Sequence, residues 1–376
     1  MQARLAELAT CHGVISTPVF LPVGSQGTVK AITPDELKNI GVTIVLSNAY
    51  HLYLRPGIDT IAALGGLHKY MAWDAPILTD SGGYQIFSLA ALRRVNDDGV
   101  FFRSHIDGSE HFLTPESVIE LQERLGADII MPLDECPAYG EDMTKIRSSV
   151  ARTRRWARKC QAHHRNHEQL LFGIVQGGIF PQLRRESALE LTSFDFPGYA
   201  IGGLSIGEPK EVTWAMVEET IAVLPSNKPR YMMGMGSPED ILEGVARGVD
   251  IFDSALPTRL ARNGALFTTR GRINIQKAVY KAEDAAIDAH CDCYTCRTFS
   301  AAYLHHLFKC KELLAYNLAT IHNLRFITRL VQRIRHAIQV DAFAEFKSEF
   351  LSEYRITDEQ ARLAQKRKWL AAAKYL

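Results

Sequence analysis

The sequence of 376 residues has no apolar run near the roughly 18 residues of a membrane span, and its start, MQARLAELATCHG, lacks the basic-then-apolar order of a secretory leader. A cytoplasmic protein with no membrane partner is expected. The paired glycines Gly82-Gly83 and Gly202-Gly203 lack the spacing of a dinucleotide loop or of G-x₄-G-K-[ST], so no nucleotide cofactor is indicated. No H-x-H motif follows any apolar run, which argues against a hydrolytic metal centre. Charge of one sign is also missing: 43 Lys and Arg stand against 42 Asp and Glu, for a formal charge of +1. Taken whole, that balance announces no polyanionic partner. Seven cysteines form an odd set in a chain too long to need disulfides, and reduced thiols fit better. With 47% hydrophobic and 23% charged residues, the composition is that of a folded protein, either one enlarged barrel or two mid-sized domains.

The even charge balance conceals uneven stretches. Residues 147 to 165 hold seven basic side chains and no acid, and residues 254 to 281 hold six and no acid. From Lys309 onward, 13 Lys and Arg face 7 Asp and Glu. Such stretches read either as solvated helix faces or as local contacts for a polyanion.

Eight short runs rich in Val, Ile, Leu and Met recur along the chain: Val19–Val23, Thr43–Leu46, Pro76–Leu78, Asp128–Leu133, Leu171–Val175, Tyr199–Ile201, Arg230–Met233 and Val249–Phe252. They lack strict alternation, as strands buried on both faces do, and helical patterns separate them. Eight such units predict an α/β fold, a (β/α)₈ TIM barrel over residues 1–287. Val100 to Leu113, with Asp107-Gly108 as its turn, reads as a β-hairpin inserted near 95–113. Residues 288–340 read as a zinc-binding insertion with the last barrel helices, and 341–376 as a helical tail.

Polar residues and glycines follow the runs, at the barrel end where enzymes of this architecture build their sites. Asp80, Asp134 and Asp253 each end a run, with Gln176 beyond another. One such Asp is often only a cap, but three around one pocket suit glycosidic chemistry, in which one carboxylate attacks and another moves a proton. Asp134 with Gln176 would match the donors and carbonyl of a guanine. Tyr84 and Met233 read either as walls of a flat slot or as core. Cys136, without an informative His partner, reads as a pocket-lining residue. Cys291, Cys293 and Cys296 form C-x-C-x₂-C, and His305, His306 and His322 follow as candidate fourth ligands. A Cys₃His set favours zinc and closes its coordination sphere, which makes the metal structural.

Seven motifs in order, LSNAYHLYLRPG (46–57), LTDSGGYQIFSL (78–89), PLDEC (132–136), GIVQGG (173–178), IGGLSIGE (201–208), FDSALPTRLARNG (252–264) and CDCYTC (291–296), closely resemble the bacterial queuine tRNA-ribosyltransferase (tRNA-guanine transglycosylase) family. The resemblance runs from Pro18 to the cysteine cluster. It implies exchange of the wobble guanine, position 34, in tRNAs for Asp, Asn, His and Tyr with G-U-N anticodons. The incoming base would be the 7-deazaguanine preQ1, in queuosine biosynthesis. By the same resemblance Asp253 is the nucleophile and Asp80 the general acid/base. Asp134, Gln176, Gly203 and Leu204 read the base, Tyr84 and Met233 stack on it, and Arg259 and Arg262 engage the anticodon loop. His322 joins Cys291, Cys293 and Cys296 on one structural Zn²⁺ per subunit, and the enzyme is a homodimer. Cys136 resembles the bacterial pattern, whereas Ser205-Ile206 and Ser254-Ala255 depart from the familiar Ala-Val and Cys-Val in the base-binding region. A noncatalytic relative that binds tRNA is the main alternative, and the presence of both Asp80 and Asp253 argues against it.

Overall fold

The computed structural model describes residues 2–89, 93–358, 360 and 364. The eight expected runs are eight strands. They are β1 (Val19–Gly24), β2 (Val45–Asn48), β3 (Ile77–Asp80), β4 (Ile129–Ile130), β5 in two pieces (Leu170–Leu171 and Gly173–Val175), β6 (Tyr199–Ile201), β7 (Arg230–Met232) and β8 (Ile251–Ser254). All neighbours pair in parallel, and β1 lies between β2 and β8, with Asp253 opposite Leu21. The first piece of β5 pairs with β4 and the second with β6, so this one segment closes the sheet. The result is a (β/α)₈ barrel.

Two apolar layers hold it. Leu21, Ile44, Leu46, Leu78, Ile129, Phe172, Ile174 and Ile251 fill the interior, and a larger layer packs the helices on the outside of the sheet. An N-terminal hairpin that the pattern reading missed, Ala6–Thr10 with Gly13–Thr17, sends Ile15 into the same interior cluster and so plugs the barrel.

Some boundaries differ from expectation. The run at Asp128–Leu133 is a strand only over Ile129–Ile130, because the side chain of Gln122 takes the place of a strand neighbour. Its Oε1 accepts from the Met131 N–H at 3.0 Å and its Nε2 donates to the Met131 carbonyl at 2.7 Å. Asp134 therefore sits four residues past a strand instead of ending one. β8 begins at Ile251, not Val249, while β2 and β3 run on to Asn48 and Asp80. The insertion is a three-stranded antiparallel sheet, Arg93–Val95, Val100–Arg103 and Glu110–Leu113, and not a two-stranded hairpin. The extra strand escaped notice because its exposed Arg93 and Arg94 carry no apolar signal. The Asp107-Gly108 turn stands as expected, with Gly108 at φ +76°. After β8 come a further hairpin, Ala265–Thr268 with Gly271–Asn274, the cysteine cluster, and a 27-residue helix, Leu313–Gln339, that packs on β1. Of the tail expected at 341–376, Phe343–Glu353 is helical, and beyond Asp358 all but residues 360 and 364 lie outside the described residues. No helix among the described residues is long and apolar enough to cross a membrane.

Asp128, buried just before β4, ties the plugged end together. It accepts from the backbone N–H of Ile77 at 2.8 Å and of His12 at 3.1 Å, and it meets His12 Nδ1 at 2.9 Å and His68 Nε2 at 3.2 Å. The two imidazoles stack, with centroids 3.5 Å apart. Burial opposes the charge of Asp128, but the donors from His68, Ile77 and His12 outweigh it and hold the carboxyl at about 2. Asp128→Ala should strand the buried Ile77 N–H and release the hairpin, at a cost of roughly 2–4 kcal/mol. A urea unfolding midpoint equal to the parent's would show that this carboxylate does not hold the plug.

Candidate active site

The C-terminal ends of the strands bring three carboxylates into one buried region. Asp80, Asp134 and Asp253 are all less than a tenth exposed. Each is held by a different set of donors, which determines what it can do.

Asp80 closes β3 opposite Asn48 of β2, and this register lets the Asn48 amide donate to Oδ2. Gln85 Nε2 donates to the same oxygen at 3.0 Å, and the Ala49 N–H reaches Oδ1 at 3.2 Å. Burial dominates all the same. With the Asp253 charge adding to it, the Asp80 carboxyl is pushed up to about 7, where it can both give and take a proton. Asp253, on β8, accepts from Tyr231 Oη at 2.6 Å and from the Gly234 N–H at 2.7 Å, both on Oδ1. Burial raises its carboxyl as well, while these two donors act in the opposite sense and favour the anion. Tyr231 stays a donor, because burial and the charge of Asp253 hold its phenol well above its ordinary value. Among the described residues no donor reaches Oδ2 of Asp253, which leaves one carboxylate oxygen open to act as a nucleophile.

Asp134 accepts from Gln176 Nε2 at 2.7 Å and from Ser81 Oγ at 3.5 Å, and burial pushes its carboxyl up to about 6. Gln176 Oε1 is buried without a partner among the described residues. Gly203, at φ +67°, lies so close to that oxygen that a β-carbon there would collide with it. The region thus offers a carboxylate, a carboxamide and a backbone edge together, as recognition of a flat amide-bearing ring requires. Leu204 is buried beside this edge, and Met233 packs at the rim of the barrel-interior cluster. Burial pushes the phenol of Tyr84 up to about 12, with Cys136 and Arg259 near enough to act on it electrostatically. The thiol of Cys136 is pushed up to about 12 by burial, so it does not serve as a nucleophile. Arg262 is anchored to the Thr258 carbonyl at 3.0 Å on the short helix Leu256–Arg262.

Comparison with known proteins places the chain. The profile of one protein family, Queuine tRNA-ribosyltransferase, matches residues 1–356. The chain belongs to this family. A queuine tRNA-ribosyltransferase from Dehalococcoides mccartyi is 58% identical over 98% of this chain and 94% of its own length. Relatives of the same name from Caldanaerobacter subterraneus subsp. tengcongensis (58% identical, 94% of each chain) and Halothermothrix orenii (54% identical, 94% of this chain and 95% of its own) agree. The chain is accordingly an enzyme of the ribosyltransferase kind.

The fold brings to the site residues that carry no signal in the sequence pattern. Tyr231 reads in sequence as one more strand residue, and only the fold shows its hydroxyl on Asp253. Asn48 lies inside a quoted motif but carries no chemical signal until the register of β2 and β3 sets it against Asp80. Arg184 is wholly buried and braces the pocket floor, donating to the carbonyls of Gly202 at 2.8 Å, Val175 at 3.2 Å and Gly178 at 2.9 Å. Glu208, also buried, accepts from the backbone N–H groups of Ser205, Ile206 and Gly207.

Away from this pocket, the fold gathers Cys291, Cys293, Cys296 and His322, whose ligand atoms lie within 4.8 Å of one another. His322 Nδ1 faces the three sulfurs at 3.7, 3.6 and 3.2 Å, while its Nε2 meets the Phe267 carbonyl at 2.6 Å, which fixes the ring. This soft donor set could hold a metal ion. His305 turns instead to the Ile275 carbonyl at 2.8 Å, and His306 lies near Cys310.

The sign of the Asp80 shift has a consequence for stability. A carboxyl raised from about 4 in the unfolded chain to about 7 in the fold stabilises fully below pH 4, and this contribution is lost as pH rises through 7. Asp80→Asn should remove up to about 4 kcal/mol of the parent's decline in unfolding free energy between about pH 4 and pH 8. Parallel stability curves for parent and variant would show that Asp80 does not titrate in that window.

Proposed function

We propose that the enzyme exchanges the wobble guanine of G-U-N anticodon tRNAs for preQ1 by double displacement. The observation that carries this reading is a pair of buried carboxyls at the strand ends, Asp80 and Asp253, near enough for the charge of Asp253 to act on Asp80. Asp253, held toward the anion by Tyr231 and Gly234, attacks C1′ of the ribose, and the bond from C1′ to guanine breaks. Asp80, at about 7, delivers a proton to the departing guanine. The incoming base returns a proton to Asp80, its nitrogen attacks C1′, and the ester to Asp253 breaks. Two inversions give retention, with a base in the place that water takes in glycosidases.

Asp134 accepts the ring N–H donors, and Gln176 turns its amide from Asp134 to the base carbonyl, alongside the backbone of Gly203 and Leu204. Tyr84 and Met233 form the walls of the slot. Buried Cys136 and bulky Ile206 keep the space beyond the base small, which favours preQ1 over the larger queuine. Arg259 and Arg262, on the helix that follows the nucleophile, hold the anticodon loop. Zinc suits the Cys₃His cluster, where it would clasp residues 291–322 with no open position for catalysis. The exposed Tyr294, Tyr303, Leu313 and Leu314 on that segment support a homodimer built through it. The tRNA substrate puts the enzyme in the cytoplasm.

Release of labelled guanine from a G-U-N tRNA, driven by preQ1 and in parallel by queuine, tests the exchange, and preference for queuine would overturn the base assignment. Asp253→Ala should form no RNA adduct that survives denaturing electrophoresis; a persistent adduct would assign the nucleophile elsewhere. Removing zinc with a chelator should lower the unfolding temperature before it slows exchange in the remaining folded enzyme. Lost turnover at unchanged stability would instead mark a catalytic metal.

A further inference from the structure

The basic stretches of the sequence meet different fates in the fold. The one at 147–165, on the helix Met143–His163, is largely neutralised. Arg147 pairs with Glu186 at 3.1 Å, Arg155 with Asp97 at 2.5 Å, Lys159 with Asp98 at 3.7 Å, Arg152 with Glu135 and Arg154 with Glu190. The other two stretches converge on one cavity of about 1290 Å³. Arg270 and Arg272 reach it from the hairpin after β8, Arg329 and Arg333 from the helix Leu313–Gln339, and Arg355 from the segment beyond Phe343–Glu353. Glu353 is the one carboxylate among the described residues that line it.

This concentration of charge is built into the backbone. The Arg355 N–H donates to the Arg270 carbonyl at 3.2 Å, and Gly271 bridges to Arg355. A β-carbon on Gly271 would meet the Arg355 carbonyl oxygen at 2.7 Å, so glycine permits the approach that sets two arginines side by side. Arg329 is oriented by the His290 carbonyl, and Arg333 lies over the Phe346 ring, 4.9 Å from its centroid. Arg270, Arg272 and Arg355 have no ion-pair partner among the described residues. The sequence after Asp358 continues the trend, with five basic side chains and one acid, Glu359. Among the described residues no Phe, Tyr or Trp lines the cavity, and His290 supplies its one aromatic ring, so charge and not a stacking platform dominates the lining. Five planar guanidinium forks beside a single lining carboxylate, in a wide and concave site, match several phosphates at once. Two residues beyond Arg333 on the same helix, Arg335 donates to the Pro18 carbonyl at the start of β1, at 2.9 Å.

We propose that this cavity binds the phosphate backbone of tRNA outside the anticodon arm, as a second contact remote from the base pocket. The proposal rests on the reading of the protein as an enzyme of tRNA. It adds a sequence-independent grip that fixes the long arm of the substrate while the strand ends read one base. The triple variant Arg270→Gln, Arg272→Gln and Arg355→Gln removes the three unpaired charges and breaks no ion pair among the described residues.

Binding of full-length tRNA and of a 17-nucleotide anticodon stem-loop should be measured against salt for parent and variant, with tripolyphosphate as a competitor. For full-length tRNA the slope of log K against log salt should fall by about 2–3, with affinity weakened at least about tenfold. Stem-loop affinity, stem-loop exchange and the unfolding midpoint should stay at parental values. An unchanged slope for full-length tRNA would overturn the proposal. So would an equal loss on the stem-loop, which would place the contact within the anticodon arm. Loss of tripolyphosphate binding with tRNA binding intact would also overturn it, in favour of a small-anion site. If the parent fails to exchange guanine on the stem-loop, it is the base-exchange reading that fails, and the salt slopes still report on the cavity.

Discussion

Desolvation of carboxylates at one end of a parallel barrel is the constraint on which the rest of this structure depends. Water around an aspartate would leave it an ordinary anion, and three such anions in one pocket would repel each other without acquiring distinct roles. Burial raises all three, and the local donors then separate them. Asp253 keeps two short hydrogen bonds that favour its charge, Asp80 rests near neutrality, and Asp134 is satisfied by a carboxamide that a ligand can displace. The supporting residues, Tyr231, Asn48, Gln176 and Arg184, are needed because a buried carboxylate tolerates few errors in its surroundings.

How far the sequence discloses this arrangement can be traced residue by residue. The eight apolar runs are legible because strands buried on both faces need continuous apolar stretches, and the polar residues after them follow from the architecture. The metal-type cluster is legible from three cysteines in six residues, although choosing His322 over His305 and His306 needed the family. Register is not legible. Asn48 faces Asp80, and Tyr231 reaches Asp253, only because strands far apart in sequence come into alignment. The shortened fourth strand was hidden for a similar reason, since Gln122 supplies from a helix the hydrogen bonds a strand would have used. The hairpin at 6–17 and the strand at 93–95, with exposed faces, carry too little apolar contrast to announce themselves.

Charge offers the same lesson on a larger scale. Three basic stretches look alike in one dimension, and their counterions decide which of them faces solvent as positive potential. Asp97, Asp98, Glu135, Glu186 and Glu190 come from other elements to quench the helix Met143–His163. Among the described residues, no comparable set approaches the arginines around the hairpin after β8. A net charge near zero can thus hold a quenched face and a live one on the same molecule.

The pairing of β8 with β1 bears on when the enzyme becomes reactive. Asp253 lies opposite Leu21, more than two hundred residues earlier in the chain, and the two halves of β5 must find both neighbours before the sheet is continuous. Contacts across such a separation carry a large loop-closure cost and form late in folding. A chain still emerging or only partly collapsed keeps its carboxylates in water, ionised and apart. On the proposed function, the power to cut a glycosidic bond in RNA would therefore arrive only with ring closure, and immature copies would leave the tRNA around them intact.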